Sequence, residues 1–394
     1  VAWGPAGTWE EIAETYWEHA ADRVTDMADT RVTGRTPGLN SEFACRLDQV
    51  QAGVRYVAIA LGPGGWIPHA AGDVLNRGFG DCKDMSTLLL SLLGGPRSQA
   101  SLALVLTSPP AAADVDPLPS LALFNHAVVC ASGNNGDVWL DATDRHATMT
   151  SPRADIQGSP ALVVSGAGRG YRRIPRAEPD RNRVERSIGI RPGVSGSWQL
   201  HATIRFQGTP RSDFLHTLEK LDLEDRDHRR NTLAWVLGLT EADLIYGPTT
   251  IDVDHTDPDV LSLKLLAKVT GMDAGTGGGM RLKAAWSPEP EPFDLFQARS
   301  RESDVYWPAL GVVVDTLTVH ARPVPDLVDT TWSSSVEGIA VSASRRVEPN
   351  RVVLAREVRV EEPVFPAAAW KEARSLRNRV RRWSSTVIPI VSPQ

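Results

Sequence analysis

The sequence has few cysteines. Three occur among 394 residues, Cys45, Cys82 and Cys130. This number cannot build a disulfide framework, and no two of the cysteines have the CxxC spacing of a metal site. At least one thiol therefore stays free, and a cysteine-rich secreted scaffold is excluded.

Long apolar runs and an excess of basic charge are also missing. No stretch approaches the ~18 apolar residues of a membrane helix, and the first residues show no basic segment followed by an apolar core. The formal net charge is -6 and the pI is about 5.9, whereas a general nucleic-acid binder needs a basic surface. We expect neither an integral membrane segment nor a nucleic-acid partner.

Motifs for nucleotides and metals fail on spacing. The glycines at 166–170 lack the spacing and the strand-to-helix context of a dinucleotide loop, and those at 277–279 are not followed by the Lys-Ser/Thr pair of a P-loop. The acidic run 252–259 lacks the glycine and the terminal glutamate of a calcium loop. We interpret these segments as loops and turns, and expect neither a cofactor nor a bound metal.

The most informative stretch is NRGFGDCKD at 76–84, followed by the apolar run 85–93. Asp81 is a preferred N-cap residue and Asp84 follows three positions later, so the spacing predicts a helix that begins close to Cys82. Gly94, Gly95 and Pro96 end it. The predicted helix is amphipathic and carries a thiol in its first turn.

A thiol in this position is suited to chemistry. The unpaired N–H groups and the positive end of the helix dipole stabilise a thiolate relative to a thiol, although Asp81 and Asp84 oppose this effect. The alternative is a cysteine that packs as a small buried hydrophobic residue. The partners of Cys82 decide between the two.

A predicted β-hairpin supplies such partners. The runs FNHAVVC at 124–130 and DVWLD at 137–141 are short and apolar and are joined by the turn sequence SGNNG. If Ala131 pairs with Asp137, His126 and Asp141 lie on adjacent strands about 5 Å apart. A slip of one residue would turn one of them to the other face.

Together, Cys82, His126 and Asp141 have the types and order of a catalytic triad. A cysteine nucleophile needs a base within hydrogen-bond reach, and the base needs an acceptor that fixes its tautomer and stabilises the imidazolium. A satisfied core histidine and a turn-capping aspartate are the alternatives for the last two residues taken singly. We predict that Cys82 is the nucleophile, His126 the general base and Asp141 the orienting carboxylate.

The remaining patterns divide the chain into a mixed first part and a strand-rich second part. We predict a core at 1–165, a linker rich in Gly, Arg and Pro at 166–183, and a mostly β domain at 184–394 that ends in a basic helix and a strand. The predicted elements before 184, apart from the hairpin, are helices from 9 towards 27, at 41–52 and 82–93 and strands at 54–59 and 102–107. Those after it are strands at 196–206, 249–253, 260–269, 280–286, 310–321, 352–360 and 386–391, a helical insert at 213–237 and the helix 367–383.

Five segments of the sequence resemble the transglutaminase-like superfamily, whose members have a papain-like cysteine core. They are YVAI at 56–59, GWIPH at 65–69, RGFGDCKD at 77–84, FNH at 124–126 and WLDAT at 139–143. The likeness is specific over about the first 150 residues, with Ala142 where the family more often has proline. It is most similar to bacterial multidomain members in which the core lies between β-rich domains.

The resemblance implies an α+β fold in which the cysteine helix packs on an antiparallel sheet, followed by the mostly β domain. It also implies Cys82, His126 and Asp141 as the triad and acyl transfer through a thioester on a peptide, protein or carboxamide substrate, to water or to an amine. The rival expectation is a binding or assembly module of the cell envelope that keeps the core without turnover. By the same likeness we expect a periplasmic or envelope location, and a longer parent protein with a β-rich domain before this chain.

Overall fold

The computed structural model consists of two compact units, Val1–Ala177 and Glu178–Gln394. The residues it describes are 7–34, 41–58, 65–107, 118–133, 136–166, 169–193, 197–220, 250–257, 259–269, 280–283, 292–307 and 309–391. Both units combine helices with sheets, so the chain is a mixed α+β protein in which strands predominate.

The first unit contains four α-helices and seven strands in its described part. The helices are α1 (Trp9–Ala20), α2 (Glu42–Gly53), α3 (Ala71–Arg77) and α4 (Cys82–Leu92). The strands are β1 (Arg55–Tyr56), β2 (Phe79–Gly80), β3 (Ala100–Val105), β4 (His126–Gly133), β5 (Gly136–Leu140), β6 (Pro160–Val163) and β7 (Gly170–Arg173).

Capping residues set where α1 and α4 begin. In each helix the N-cap side chain, Thr8 or Asp81, accepts a backbone N–H from the first turn, and an acid three residues later accepts the N-cap N–H. Both helix starts are confirmed, because this reciprocal pair satisfies N–H groups that a helix leaves without partners. Gly94, at φ 100°, then turns the chain away from α4.

The sheet of the first unit has the strand order β5-β4-β3-β6-β7, and every neighbouring pair is antiparallel. Helix α4 packs on β4 and β3, with α2 and α3 also against it. Leu88, Leu89 and Leu92 of α4 are fully buried together with Leu102 of β3 and Val129 of β4. Burying these apolar side chains holds the cysteine helix to the sheet.

The predicted register of the hairpin is wrong by one residue. Ala131 pairs with Val138, and Ser132 pairs with Asp137. The turn closes between Gly133 and Gly136, the second of which has a φ of 115° that favours glycine. The ladder ends at Val129 and Leu140, so Asp141 follows β5 and is not bound by the alternation of the strand.

The second unit is built around an eight-stranded sheet with the order β10-β11-β9-β8-β14-β17-β16-β15. Its strands are β8 (Arg183–Pro192), β9 (Trp198–Gln207), β10 (Thr250–Asp257), β11 (Val260–Val269), β14 (Gly311–Val319), β15 (Thr330–Val336), β16 (Ile339–Glu348) and β17 (Arg351–Val360). Only the central pair of β8 and β14 is parallel among these neighbours. The other elements are α5 (Thr209–Lys220), β12 (Met280–Lys283), β13 (Val305–Tyr306), β18 (Val364–Phe365), α6 (Trp370–Ser384) and β19 (Val387–Ile390).

A buried ionic cluster lies within the second unit. The Arg356 side chain is fully buried and donates to Asp315 Oδ2 at 2.5 and 3.1 Å and to the Ser384 hydroxyl at 2.6 Å. Arg186 donates to the other Asp315 oxygen at 2.9 Å. Removing Asp315 would leave the buried Arg356 without a charged partner, which is costly in a dry interior.

Several predicted elements differ from the structure. Strands β8, β15 and β16 were missed because serine and arginine interrupt their apolar alternation, and the predicted strand 54–59 is limited to β1 in its described part. The predicted linker contains β7, whose backbone pairs with β6. The insert residues 221–237, strand residues 284–286 and the glycines 277–279 lie outside the described residues. No helix in the described part is long and apolar enough to cross a membrane.

Candidate active site

The three predicted site residues lie at the ends of three neighbouring elements. Cys82 is the first residue of α4 and is half-buried, His126 is the first residue of β4, and Asp141 directly follows β5. His126 Nε2 lies 2.8 Å from Asp141 Oδ2, and the two residues are only 8% and 1% exposed. Cys82 contributes to the raised pKa of His126, so its side chain lies near the imidazole. The structure therefore brings all three side chains together.

One side-chain bond fixes the spacing between the cysteine helix and the strand that carries the histidine. The hydroxyl of Ser86, one turn after Cys82, donates to the carbonyl oxygen of Ala127 at 3.0 Å. Ala127 follows His126 directly and is fully buried. This contact, together with the apolar packing of α4, keeps the thiol in reach of the imidazole.

Electrostatics favour a charged imidazole. Burial disfavours the imidazolium, but the Asp141 carboxylate and its hydrogen bond more than offset this, and with a further contribution from Cys82 the pKa of His126 rises to about 10. Burial likewise disfavours the Asp141 carboxylate, yet His126 and Arg153 hold the pKa of Asp141 far below its usual range. Near neutral pH the pair is an imidazolium and a carboxylate.

Asp141 is held by groups that the sequence analysis did not single out. Its Oδ1 accepts the N–H of Thr143 at 2.9 Å and the Thr143 hydroxyl at 2.7 Å. Arg153 Nη1 lies 3.7 Å from Asp141 Oδ2, and the Gln51 amide donates to the carbonyl oxygens of Asp144 and Ala147 at 2.7 and 3.0 Å. The carboxylate is thus oriented from both sides, and the loop behind it is fixed by α2.

Of these groups, only Thr143 carried a local signal. Asp-x-Thr is a pattern in which an aspartate accepts the N–H two residues on. Gln51 lies 90 positions before Asp141 and Arg153 lies 12 positions after it. Nothing in their local sequence shows that the chain brings Gln51 to the loop behind Asp141 and Arg153 to the Asp141 carboxylate.

A second cluster braces the start of α4. The Asp84 carboxylate accepts the His69 N–H at 2.8 Å and Arg77 Nη2 at 2.5 Å, and the His69 ring lies 3.1 Å away. Lys83 Nζ lies 2.5 Å from Asp81 Oδ2. These ion pairs neutralise the two acids that otherwise oppose a thiolate at the helix start.

Of the other cysteines, Cys130 is buried in β4. Burial, with the nearby Asp137 carboxylate, raises the pKa of the Cys130 thiol to about 12. This thiol therefore stays protonated through the physiological range, as expected for a packing residue.

The site offers a thiol, a charged imidazole near it and a buried carboxylate that fixes the imidazole. This set can supply a nucleophile and a proton carrier to the same carbonyl group. The Asp81 carboxylate accepts the N–H groups of Lys83 and Asp84 but not that of Cys82.

Comparisons with known proteins give little further guidance. No protein-family model matches the chain, and no curated protein matches it. Among solved structures it is similar to a crystal structure described as that of a candidate protease from Parabacteroides distasonis, with a TM-score of 0.48 and 12% identity over 97% of this chain. The chain spans about half the length of that protein, 54%. Function is therefore argued from the residues of the site.

Proposed function

We propose that the protein catalyses cysteine-dependent acyl transfer, with Cys82 as nucleophile, His126 as general acid and base, and Asp141 as the orienting carboxylate. The observation that carries the proposal is the buried His126–Asp141 pair, joined at 2.8 Å, with Cys82 near enough to the imidazole to contribute to its raised pKa. A packing cysteine needs no such partner, whereas a nucleophile does.

In the first half of the reaction the Cys82 thiolate attacks the carbonyl carbon of a peptide or carboxamide, forming a C–S bond. The carbonyl oxygen gains the negative charge and accepts a hydrogen bond from the Cys82 N–H at the start of the helix. His126 then donates its proton to the leaving nitrogen as the C–N bond breaks. The amine or ammonia departs and leaves a thioester on Cys82.

In the second half, water or an amine attacks the thioester carbon while the now neutral His126 accepts its proton. The C–S bond breaks, and the thiolate and the imidazolium are restored. Attack by water makes the protein a protease or amidase, and attack by an amine makes it a cross-linking enzyme. Asp141 stays ionised throughout, because His126 and Arg153 stabilise its negative charge.

We assign this site to a transglutaminase-like catalytic core with a papain-like fold at 1–165, followed by a β-rich domain at 184–394. The sequence segments around Cys82, His126 and Asp141 support the assignment, as does the packing of α4 on an antiparallel sheet. In this chain the cysteine comes from the helix, His126 from β4 and Asp141 from the residue that follows β5.

Alkylation tests the proposal. At about pH 6, where an ordinary thiol of pKa ~8.5 is almost fully protonated, iodoacetamide should modify Cys82 of the native protein much faster than Cys82 of the protein unfolded in urea. Cys130 in the same digest serves as the internal control and should stay unmodified. His126→Ala should remove most of the advantage of the native protein.

The opposite result of the alkylation test would contradict the proposed nucleophile. If native Cys82 reacts no faster than in the unfolded chain, the site holds no activated thiol. The core would then act as a binding or assembly module without turnover.

A further inference from the structure

Two exposed aromatic residues belong to segments that border the candidate active site. Among the described residues, Tyr56 and Trp66 are the aromatic members of the exposed large hydrophobic set, at 46% and 44% exposure. Burying an aromatic side chain is favourable, so two exposed aromatic residues near one site mark a candidate binding surface. Both belong to the first unit: Tyr56 pairs with the strand that precedes Cys82, and the segment that begins at Trp66 is bound to α4 through His69.

Tyr56 is fixed next to the segment that leads into the helix. Strand β1 runs parallel to β2 with Tyr56 opposite Gly80, and the Val57 N–H donates to the Gly80 carbonyl oxygen at 2.8 Å. Gly80 precedes Cys82 by two positions. Burial raises the pKa of Tyr56; Cys82 and Asp81 raise it further, and Arg153 acts in the opposite direction. The phenol therefore lies near both Cys82 and Arg153.

Trp66 is attached through its backbone. Its carbonyl oxygen accepts the Tyr16 hydroxyl at 3.0 Å, and three residues later the His69 N–H is bound by Asp84 of α4. Tyr16 is buried, and this burial, with a smaller contribution from Cys82, raises the pKa of Tyr16 strongly. The backbone from Trp66 to His69 is thus attached at two points near the start of α4, while the Trp66 residue stays exposed.

The charged groups around the site are already paired with each other. Lys83 contacts Asp81, Arg77 contacts Asp84, and Arg153 contacts Asp155, each at 2.5 Å. A charged substrate side chain would have to compete with these pairs. An apolar side chain would gain contact with the exposed aromatic rings instead.

On the basis of the proposed function, we propose that Tyr56 and Trp66 form the two walls of the acyl-donor subsite. This subsite takes an aromatic or large aliphatic side chain on the residue whose carbonyl is attacked. The substrate class is therefore a peptide or carboxamide with an apolar residue at that position.

The test uses covalent probes whose recognition is separable from thiol reactivity. Peptidyl acyloxymethyl ketones that differ only in the residue next to the ketone, Phe, Leu, Ala, Glu or Lys, are compared with iodoacetamide on the full chain. For each protein the rate constant of inactivation by each peptide is divided by that of iodoacetamide. The division corrects for any change in the reactivity of Cys82 itself.

The parent protein should prefer Phe and Leu over Ala, Glu and Lys by about 10-fold, as expected for an apolar side chain that is partly buried on binding. Tyr56→Ala and Trp66→Ala should each remove most of this preference, and Tyr56→Phe and Trp66→Phe should retain most of it, because the aromatic wall is kept. Leu295→Ala removes an exposed apolar side chain of the second unit and should leave the preference unchanged.

The outcomes separate the two proposals. Modification of Cys82 without any preference, or with a preference that survives in both alanine variants, overturns the subsite and leaves the nucleophile standing. Failure of iodoacetamide and of every ketone to modify native Cys82 overturns the proposed function and the subsite together.

Discussion

Replacing Asp141 by asparagine removes the charge that faces His126 and keeps the shape of the side chain. In the parent protein burial opposes the imidazolium, and the carboxylate at 2.8 Å offsets this, so the pKa of His126 rises from 6.5 to about 10. That difference corresponds to roughly 5 kcal/mol in favour of the charged imidazole. In Asp141→Asn the burial remains and the charge is lost, so the pKa of His126 should fall to near or below 6.5.

The assay is a pH titration of the ring nitrogens by NMR in histidine-labelled protein, with His126→Gln to identify the resonance. Cys82→Ala should lower the titration midpoint less than Asp141→Asn does, because the carboxylate contributes more than the thiol. An unchanged midpoint in Asp141→Asn would refute the ion pair.

The same pair predicts how stability depends on pH. The pKa of His126 is raised by folding, so its contribution to the free energy of unfolding is complete below pH 6.5 and is lost as the pH rises through about 10. The stability difference between the parent and Asp141→Asn in urea should therefore be largest near pH 6 and shrink towards pH 10. A difference that grows with pH over this window contradicts the reasoning.

Three further substitutions or measurements test the surroundings of the site and the second unit. Gly80→Ala places a Cβ 2.6 Å from a side-chain carbon of Asp84 in α4 and should lower the free energy of unfolding in urea by about 1–3 kcal/mol. Gly72→Ala has open space around its Cβ and should be neutral or stabilising. Equal effects of the two substitutions would contradict this. The pKa of about 12 predicts that Cys130 resists iodoacetamide in the native protein up to about pH 9, and rapid modification there would contradict its burial. Asp315→Asn leaves the buried Arg356 without a charged partner and should cost about 3 kcal/mol in urea unfolding, and a loss under about 1 kcal/mol would argue against the buried pair.

Local signals in the sequence were sufficient for the start of the cysteine helix. The caps of α1 and α4 depend on residues three positions apart, so both were predictable. The hairpin was also predictable as an element, because two short apolar runs flank an Asn/Gly-rich turn. Its register was not, since a shift of one residue in the turn changes every pair along the ladder.

The approach of Asp141 to His126 survives that error because Asp141 lies beyond the last ladder pair, where the alternation of faces no longer applies. Contacts between residues far apart in the chain could not be predicted from the sequence. The Gln51 side chain bonds to the loop at 144–147 and the Tyr16 side chain bonds to the backbone of Trp66. Such pairs produce no periodic pattern in the sequence. In the second unit, β15 is an edge strand with the sequence TTWSSSV, and its serines remove the apolar alternation by which a strand is predicted.

Trapping an acyl-enzyme tests the central claim most directly. The full chain is mixed with p-nitrophenyl acetate, quenched in acid within one turnover, digested and analysed by mass spectrometry. Our account predicts one acetyl group on Cys82, none on Cys130, none at this position in Cys82→Ala and much slower formation in His126→Ala. Acetylation that bypasses Cys82, or that proceeds at the parent rate in His126→Ala, would contradict it.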